Sequence, residues 1–160
     1  MTARLDYMKQ SPELFKKFAD VSLAVSKSGL DPVLLHLGQI RASQINGCTF
    51  CLDMHVKQAT IHGEKAIRLH HIAAWRESNL FAPRERATLA WTEALTTLPP
   101  TGVPDDLFQR VREQLSEQEL IGLTYAVMII NGWNRINVAF QTPPGVLDKA
   151  YGLDKAGLAA

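Results

Sequence analysis

Apolar residues recur at three- and four-residue steps along nearly all of this 160-residue chain, and no stretch alternates in the manner of a strand. That periodicity leaves an all-α fold, read as a bundle of about seven helices. Proline and glycine supply the punctuation. Ser11-Pro12-Glu13 reads as a helix start: a capping hydroxyl, a proline at the first helical position and an early acid. Leu14, Phe15, Phe18, Val21 and Val25 follow, and Gly29 stops the helix. Asp31-Pro32 repeats the start for a helix carrying Val33, Leu34, Leu37 and Ile40, which ends at Asn46-Gly47. A third helix is expected from about Cys48 to His62, and a short one from Glu64 to about Ala74. Residues Trp75 to Ala82 read as a loop. Pro83 opens a helix with Ala87, Ala90, Ala94 and Leu98 on one face. Pro104-Asp105-Asp106 starts a short helix to about Gln114. Ser116 and Glu119 fit a capping box ahead of the most apolar helix, through Leu120, Leu123, Val127 and Ile130 to about Phe140. The tail after Pro143-Pro144-Gly145 is weakly patterned.

With 46% hydrophobic residues and charges of both signs interspersed, disorder is excluded. No linker separates segments, so residues 1–160 read as one domain with its core at about 30–140. Seventeen Lys and Arg against sixteen Asp and Glu leave a net charge of +1, too little for a broad field that would attract nucleic acid. The first residues lack the apolar core of a secretion signal, and no apolar run reaches the roughly 18 residues needed to span a bilayer. The expectation is a soluble, cytoplasmic protein with no membrane partner. Only two cysteines occur, Cys48 and Cys51, in one C-x-x-C. In a reducing compartment such a pair points to redox chemistry or metal.

If a helix begins near Cys48, then Cys48, Cys51 and His55 fall in one column, because residues three and four apart share a face. The thiols lie in the first turn, where free N–H groups and the helix dipole favour an anion. His55, one turn beyond Cys51, can take the thiol proton, and the thiolate is the reactive species. A thiolate that attacks an oxidant becomes a sulfenic acid, which a neighbouring thiol condenses to a disulfide. Cys51, directly over His55, is the expected attacking sulfur. Cys48, expected to be the more exposed at the helix terminus, is the expected resolving one. Zinc is the competing reading, with Cys48, Cys51, His55 and a fourth ligand from His36 or His62. Haem attachment would need His where Leu52 stands.

The run Arg41-Ala42-Ser43-Gln44-Ile45-Asn46-Gly47-Cys48-Thr49-Phe50-Cys51-Leu52-Asp53-Met54-His55 resembles the signature of the AhpD-like alkylhydroperoxidases, within the carboxymuconolactone decarboxylase superfamily. Ala74-Trp75-Arg76-Glu77 with Leu80-Phe81, and Asn131-Gly132-Trp133-Asn134-Arg135, resemble later segments of its short single-domain members. The resemblance implies an all-helical fold assembling as a homo-trimer or homo-hexamer. It implies reduction of an organic hydroperoxide or hydrogen peroxide with no bound cofactor, the electrons coming from a dithiol donor protein of lipoyl type. It also implies that Cys51 attacks, Cys48 resolves and His55 is the family's histidine. Two positions depart from the pattern: His36 stands where the family has a relay carboxylate, and Phe50 stands where the better-studied peroxidases have histidine. A histidine can accept or pass a proton near neutral pH, so His36 joins Cys51, Cys48 and His55 as a catalytic candidate. The alternatives are a redox-sensing or zinc-binding helical module and a lactone-decarboxylase-like lyase.

Other conspicuous residues have plainer readings. His70-His71 beside Arg68 read as a solvated helix end, and Arg84-Glu85-Arg86 and Asp105-Asp106 as solvated faces. Trp75, Trp91 and Trp133 read as core, with a substrate pocket as the alternative. Gln44 and Asn46 could orient the site by hydrogen bonds, with a turn-forming role equally open for Asn46; Asp53 is assigned no catalytic part. The face from Tyr125 to Ile130 is apolar enough for core or subunit interface.

Overall fold

A computed structural model describes residues 2–158. Among these residues nine α-helices run in the order α1 (Tyr7–Gln10), α2 (Pro12–Ser26), α3 (Pro32–Ile45), α4 (Thr49–Ile61), α5 (Ala66–His71), α6 (Pro83–Thr97), α7 (Asp105–Arg112), α8 (Glu117–Phe140) and α9 (Asp148–Tyr151). Short 3₁₀ segments cover Ile72–Glu77 and Leu153–Ala156. Among the described residues there is no strand, as the periodicity requires. No helix there is long and apolar enough to cross a membrane.

The start signals work through side chains. Asp31 accepts from the Val33 N–H at 2.8 Å, with Pro32 behind it at the first helical position. Ser116 accepts from the Glu119 N–H at 3.2 Å while Glu119 accepts from the Ser116 N–H at 2.9 Å, the reciprocal box expected at α8. Ser11 does not cap, because its own N–H closes the α1 turn on the Tyr7 carbonyl and its side chain is left without a helix partner.

Helix α3 is the hub, packed by α4, α6 and α8 on different sides. It therefore buries residues around much of its circumference rather than along one stripe: Leu34, Leu35, Leu37, Ile40, Ala42 and Ser43. One apolar cluster joins α3 to α6, α7 and α8 through Leu34, Trp91, Val111 and Leu123. A second joins α3 to α4 and α6 through Leu37, Ile40, Ala59, Ile72, Trp75 and Leu89. Each fully buried leucine contributes about 2 kcal/mol. The α3–α6–α8 crossing is tight: a Cβ on Gly38 would meet Thr92 Oγ1 at 3.1 Å and Leu123 at 3.4 Å.

Three expectations need correction. The stretch read as a loop from Trp75 continues as a 3₁₀ turn to Glu77, after a kink at Ala74. The buried face of α6 is Thr88, Leu89, Trp91, Thr92 and Thr96, whereas Leu98 lies beyond the helix end and is exposed. The small alanines misled the periodicity there, since Trp91 and Thr96 turn inward to bond α8, Trp91 donating to Thr124 at 3.0 Å and Thr96 accepting from Asn131 at 3.1 Å. Arg84-Glu85-Arg86 is not a solvated face: Glu85 pairs with Arg68, and Arg86 donates to the carbonyls of Trp75, Arg76 and Ser78, each at 3.0 Å.

The apolar face of α8 divides. Ala126, Val127, Ile129 and Ile130 are buried, while Ile121, Tyr125 and Met128 are exposed. Helix α2 buries no residue fully and rests on α8 through Phe15 and Phe18, which pack on Trp133 with ring centroids 5.8 and 4.5 Å apart. A Cβ on Gly132 would lie 2.6 Å from Phe18, so that glycine lets α2 lie down.

Candidate active site

The turn that delivers the cysteines is held from both sides. Helix α3 ends at Asn46, and Gly47 takes φ +65°, a conformation glycine adopts without strain. The Asn46 amide donates to Asn131 and Asn134 of α8, both at 2.9 Å. Asn134 in turn donates to Ser43 at 3.1 Å, and Asn131 donates to Thr96 at 3.1 Å. Asn46 thus both makes the turn and anchors it. The Cys48 N–H closes the turn on the Ser43 carbonyl at 3.0 Å.

Cys48 is not the first residue of the helix but its N-cap, and its sulfur accepts from the Cys51 N–H at 3.3 Å. Both cysteines are free thiols and both are 2% exposed. The expectation that Cys48 is the more accessible is therefore wrong, because the asparagine-anchored turn covers the cap. Cys51 is the one that faces open space. It lines a cavity of about 590 Å³ bounded by α2, α3, α4 and α8 with edges from α1 and α9, and Cys48 does not. Asn137 of α8 donates to Cys51 Sγ at 3.7 Å and is itself fixed by the Tyr7 hydroxyl, which donates to it at 3.1 Å.

The two sulfurs share one proton-binding problem. A hydrogen bond from the Cys51 thiol and the Cys51 backbone N–H both lower the Cys48 pKa, against the opposing effect of burial. Donation to Cys48, then burial, raise that of Cys51. The first negative charge on the pair accordingly rests at the helix N-terminus, with Cys51 as its proton donor.

His55 is buried on α4 and lines the same cavity. Its Nδ1 bonds Gln58 Oε1 at 2.7 Å. A carbonyl oxygen can only accept, so Nδ1 carries the proton and Nε2 keeps its lone pair. Burial lowers the His55 pKa to about 4 and keeps the ring neutral at pH 7. No hydrogen bond joins His55 directly to either sulfur among the described residues. His36, on α3, also lines the cavity, and its Nε2 lies 2.7 Å from Nδ1 of the exposed His62. Burial, then the neighbouring His62, lower the His36 pKa to about 4.

The side chains weighed as zinc ligands do not converge. His55 is turned to Gln58 and His36 to His62, and no group of three or more His, Cys, Asp or Glu gathers as ligands among the described residues. Of the three tryptophans, Trp75 and Trp91 are core and Trp133 lines the cavity. His71 bonds Ser78 at 3.0 Å and His70 is exposed, away from the site. Asp53 pairs with the buried Lys57 at 2.8 Å and takes no part. Sequence reasoning missed Asn137, Tyr7 and Gln58. A signal for the first was present: Asn131, Asn134 and Asn137 recur at three-residue steps in an otherwise apolar helix, a stripe with no reason to exist unless it faces partners.

The sequence profile of the carboxymuconolactone decarboxylase family matches residues 12–94, from α2 through most of α6. The chain belongs to that family. The chain is 37% identical over 139 residues to the uncharacterized protein YdfG of Bacillus subtilis, covering 87% of this chain and 95% of that one. It is 34% identical over 117 residues to the uncharacterized protein YnjA of Escherichia coli, covering 73% of this chain and 64% of that one. A crystal structure of a protein of unknown function from Agrobacterium tumefaciens, ascribed provisionally to antioxidant defence as AhpD, superposes with a TM-score of 0.87 at 41% identity over 91% of this chain and 99% of that one. This family member is thus AhpD-like. The debrominase Bmp8 shares the fold with a TM-score of 0.75 at 21% identity over 93% of this chain and 80% of its own.

Proposed function

We propose that this protein is a thiol-dependent hydroperoxide reductase that cycles between dithiol and disulfide. The observation that carries the reading is the pair of free thiols at the start of α4, where Cys48 Sγ accepts from the Cys51 N–H at 3.3 Å and Cys51, unlike Cys48, lines the cavity. Cys51 passes its proton to the Cys48 thiolate and attacks the terminal peroxide oxygen. The O–O bond breaks, leaving a Cys51 sulfenic acid and an alkoxide that takes a proton and departs as the alcohol. Cys48 attacks the sulfenic sulfur and expels water, forming the disulfide. One peroxide is reduced by two electrons and two thiols are oxidised; an external dithiol donor protein, of lipoyl class, returns the electrons.

The neutral Nε2 of His55 is a second proton acceptor inside the cavity, beside the Cys48 thiolate. His36 and the exposed His62 give protons a hydrogen-bonded route between cavity and solvent. His36 therefore does by proton exchange what a carboxylate would do by charge. The exposed Ile121, Tyr125 and Met128 on α8 suit the trimer or hexamer we infer for the working protein, which sedimentation would show.

Thiol counting after one equivalent of hydroperoxide tests the reading. Loss of two thiols per chain, recovered by dihydrolipoamide and absent in Cys51→Ser, is expected. Unchanged peroxide consumption in that variant overturns it.

A further inference from the structure

Asn137 of α8 is 2% exposed, and both ends of its amide are engaged. Its Nδ2 donates to the Trp133 carbonyl at 2.9 Å and to Cys51 Sγ at 3.7 Å, and its Oδ1 accepts from the Tyr7 hydroxyl at 3.1 Å. A carbonyl can only accept, so the bond to Trp133 fixes which end of the amide is nitrogen and leaves the second N–H for the sulfur. Tyr7 is delivered by the chain ahead of α2: the Arg4 N–H donates to the Phe140 carbonyl at 2.8 Å, and the Tyr7 ring stacks on Phe140 with centroids 5.7 Å apart. Burial, then the nearby Cys51, raise the Tyr7 pKa to about 12, so at neutral pH its hydroxyl keeps its proton and serves as a fixed donor. Asn134, one turn earlier on the same stripe, also favours the charged form of both thiols, but its amide is committed to the turn, donating to Ser43 and accepting from Asn46. Among the described residues Asn137 bonds nothing in α4 or its turn except Cys51.

We propose that Asn137 is a catalytic residue that donates to Cys51 Sγ as that sulfur takes on negative charge, and that Tyr7 is the positioning residue that holds the Asn137 amide on it. The proposal rests on the peroxidase reading for its reaction, in which Cys51 hands its proton to Cys48. A thiol sulfur is a weak acceptor and a thiolate a strong one, so the same N–H stabilises the charged sulfur more than the neutral one. The donor is neutral and already in place, and no rearrangement is needed when charge arrives. The Tyr7 hydroxyl, donating to Oδ1, polarises the amide and strengthens the N–H at its other end. The proton moves within the cysteine pair, and Asn137 touches only one of the two sulfurs. It therefore sets how the charge divides between them, not how readily the pair ionises. The other titratable groups on the lining are His55 on α4 and His62 at its end, His36 on α3, Tyr151 on α9 and the exposed Asp20 on α2, while α8 lends the lining no charge. The first helix of the chain is thereby part of the sulfur's own site.

The test is the rate at which iodoacetamide alkylates Cys51 in the reduced full-length protein, resolved from Cys48 by tandem mass spectrometry, from about pH 6 to about pH 10. Alkylation needs a thiolate but no peroxide. Asn137→Leu, close in volume to the wild-type residue, is expected to slow Cys51 labelling by roughly tenfold, by the same factor at every pH and with the midpoint of the profile unmoved. Tyr7→Phe keeps the ring on Phe140 and is expected to slow labelling by about threefold, again uniformly with pH. The double variant is expected to be no slower than Asn137→Leu alone, because Tyr7 acts only through the amide. Unchanged Cys51 labelling in Asn137→Leu, a displaced midpoint, or a Tyr7→Phe effect that persists in full in the double variant overturns the assignment. Labelling that depends on Asn137 in a protein that consumes no peroxide would leave the assignment standing and remove the peroxidase reading; peroxide turnover with labelling indifferent to Asn137 would do the reverse.

Discussion

The two flanks of α3 use charge in opposite ways. On the α5–α6 flank the inward-facing charges are paired. Arg68 is held by Glu64 at 2.9 Å and by Glu85; Glu93 takes Arg41 at 2.7 Å, Arg76 at 2.6 Å and Trp75 Nε1 at 2.8 Å. Burial opposes ionisation of Glu93, yet the bonds from Trp75, Arg76 and Arg41 outweigh it and hold the carboxyl below its ordinary range. Arg76 and Arg86 stack on Trp75, 4.3 and 5.1 Å from its ring centroid. On the α2–α4 flank the polar groups that line the opening are uncharged apart from the exposed Asp20. The difference separates bracing from chemistry: one side is tied so that the other can stay open.

Single substitutions should pull these roles apart. The largest effect expected is on turnover: Cys51→Ser lowers peroxide reduction by roughly a thousandfold or more while shifting the melting temperature little, measured in a coupled peroxide assay and by calorimetry. The mirror image is Arg68→Ala, which strands Glu64 and Glu85, each about one-seventh exposed, and costs about 3 kcal/mol in urea unfolding with the thiol chemistry of the surviving fold intact. If Arg68→Ala instead abolished turnover at full stability, the division would fail.

Acid separates the flanks as well. The unfolded chain protonates histidine near 6.5, whereas folded His55 stays neutral to about 4. The unfolded state therefore binds the proton first as pH falls, and stability complete above pH 6.5 is lost between 6.5 and 4, about 3 kcal/mol for His55 alone. His36 adds to the same window, and His55→Gln should flatten the profile. The smallest effect expected is from Gly132→Ala. Its methyl must displace Phe18, so hydrogen exchange in α2 should quicken at a net cost of about 1 kcal/mol, with α6 unchanged.

The cysteine site was legible where chemistry and spacing coincide. The column of Cys51 and His55 on one face of α4, and the asparagine-glycine turn before it, follow from local rules that tertiary contacts reinforce. Cap positions such as Asp31 and Ser116 were legible for the same reason. What could not be read is what depends on partners far along the chain. The burial of Cys48 is imposed by α8, some ninety residues away, and the pairing of Arg68 with Glu85 needs α5 and α6 to be brought together. The face of α6 was misjudged because alanine marks a helix side only weakly, while buried threonine and tryptophan choose theirs by hydrogen bonds.

Lys57 sits on the back of α4, 3% exposed, its ammonium clasped by Asp53 at 2.8 Å and by Asp148 at 2.7 Å. The second of these carboxylates belongs to the weakly patterned tail, whose Leu153 is buried while its closing 3₁₀ turn packs on α4. The tail is therefore a rear buttress for the helix that bears the sulfurs. Shortening the chain at residue 142 would leave the Lys57 ammonium with one counter-ion and open the back of α4 to water, and the damage would surface as a slackened cysteine pair rather than as a frayed end.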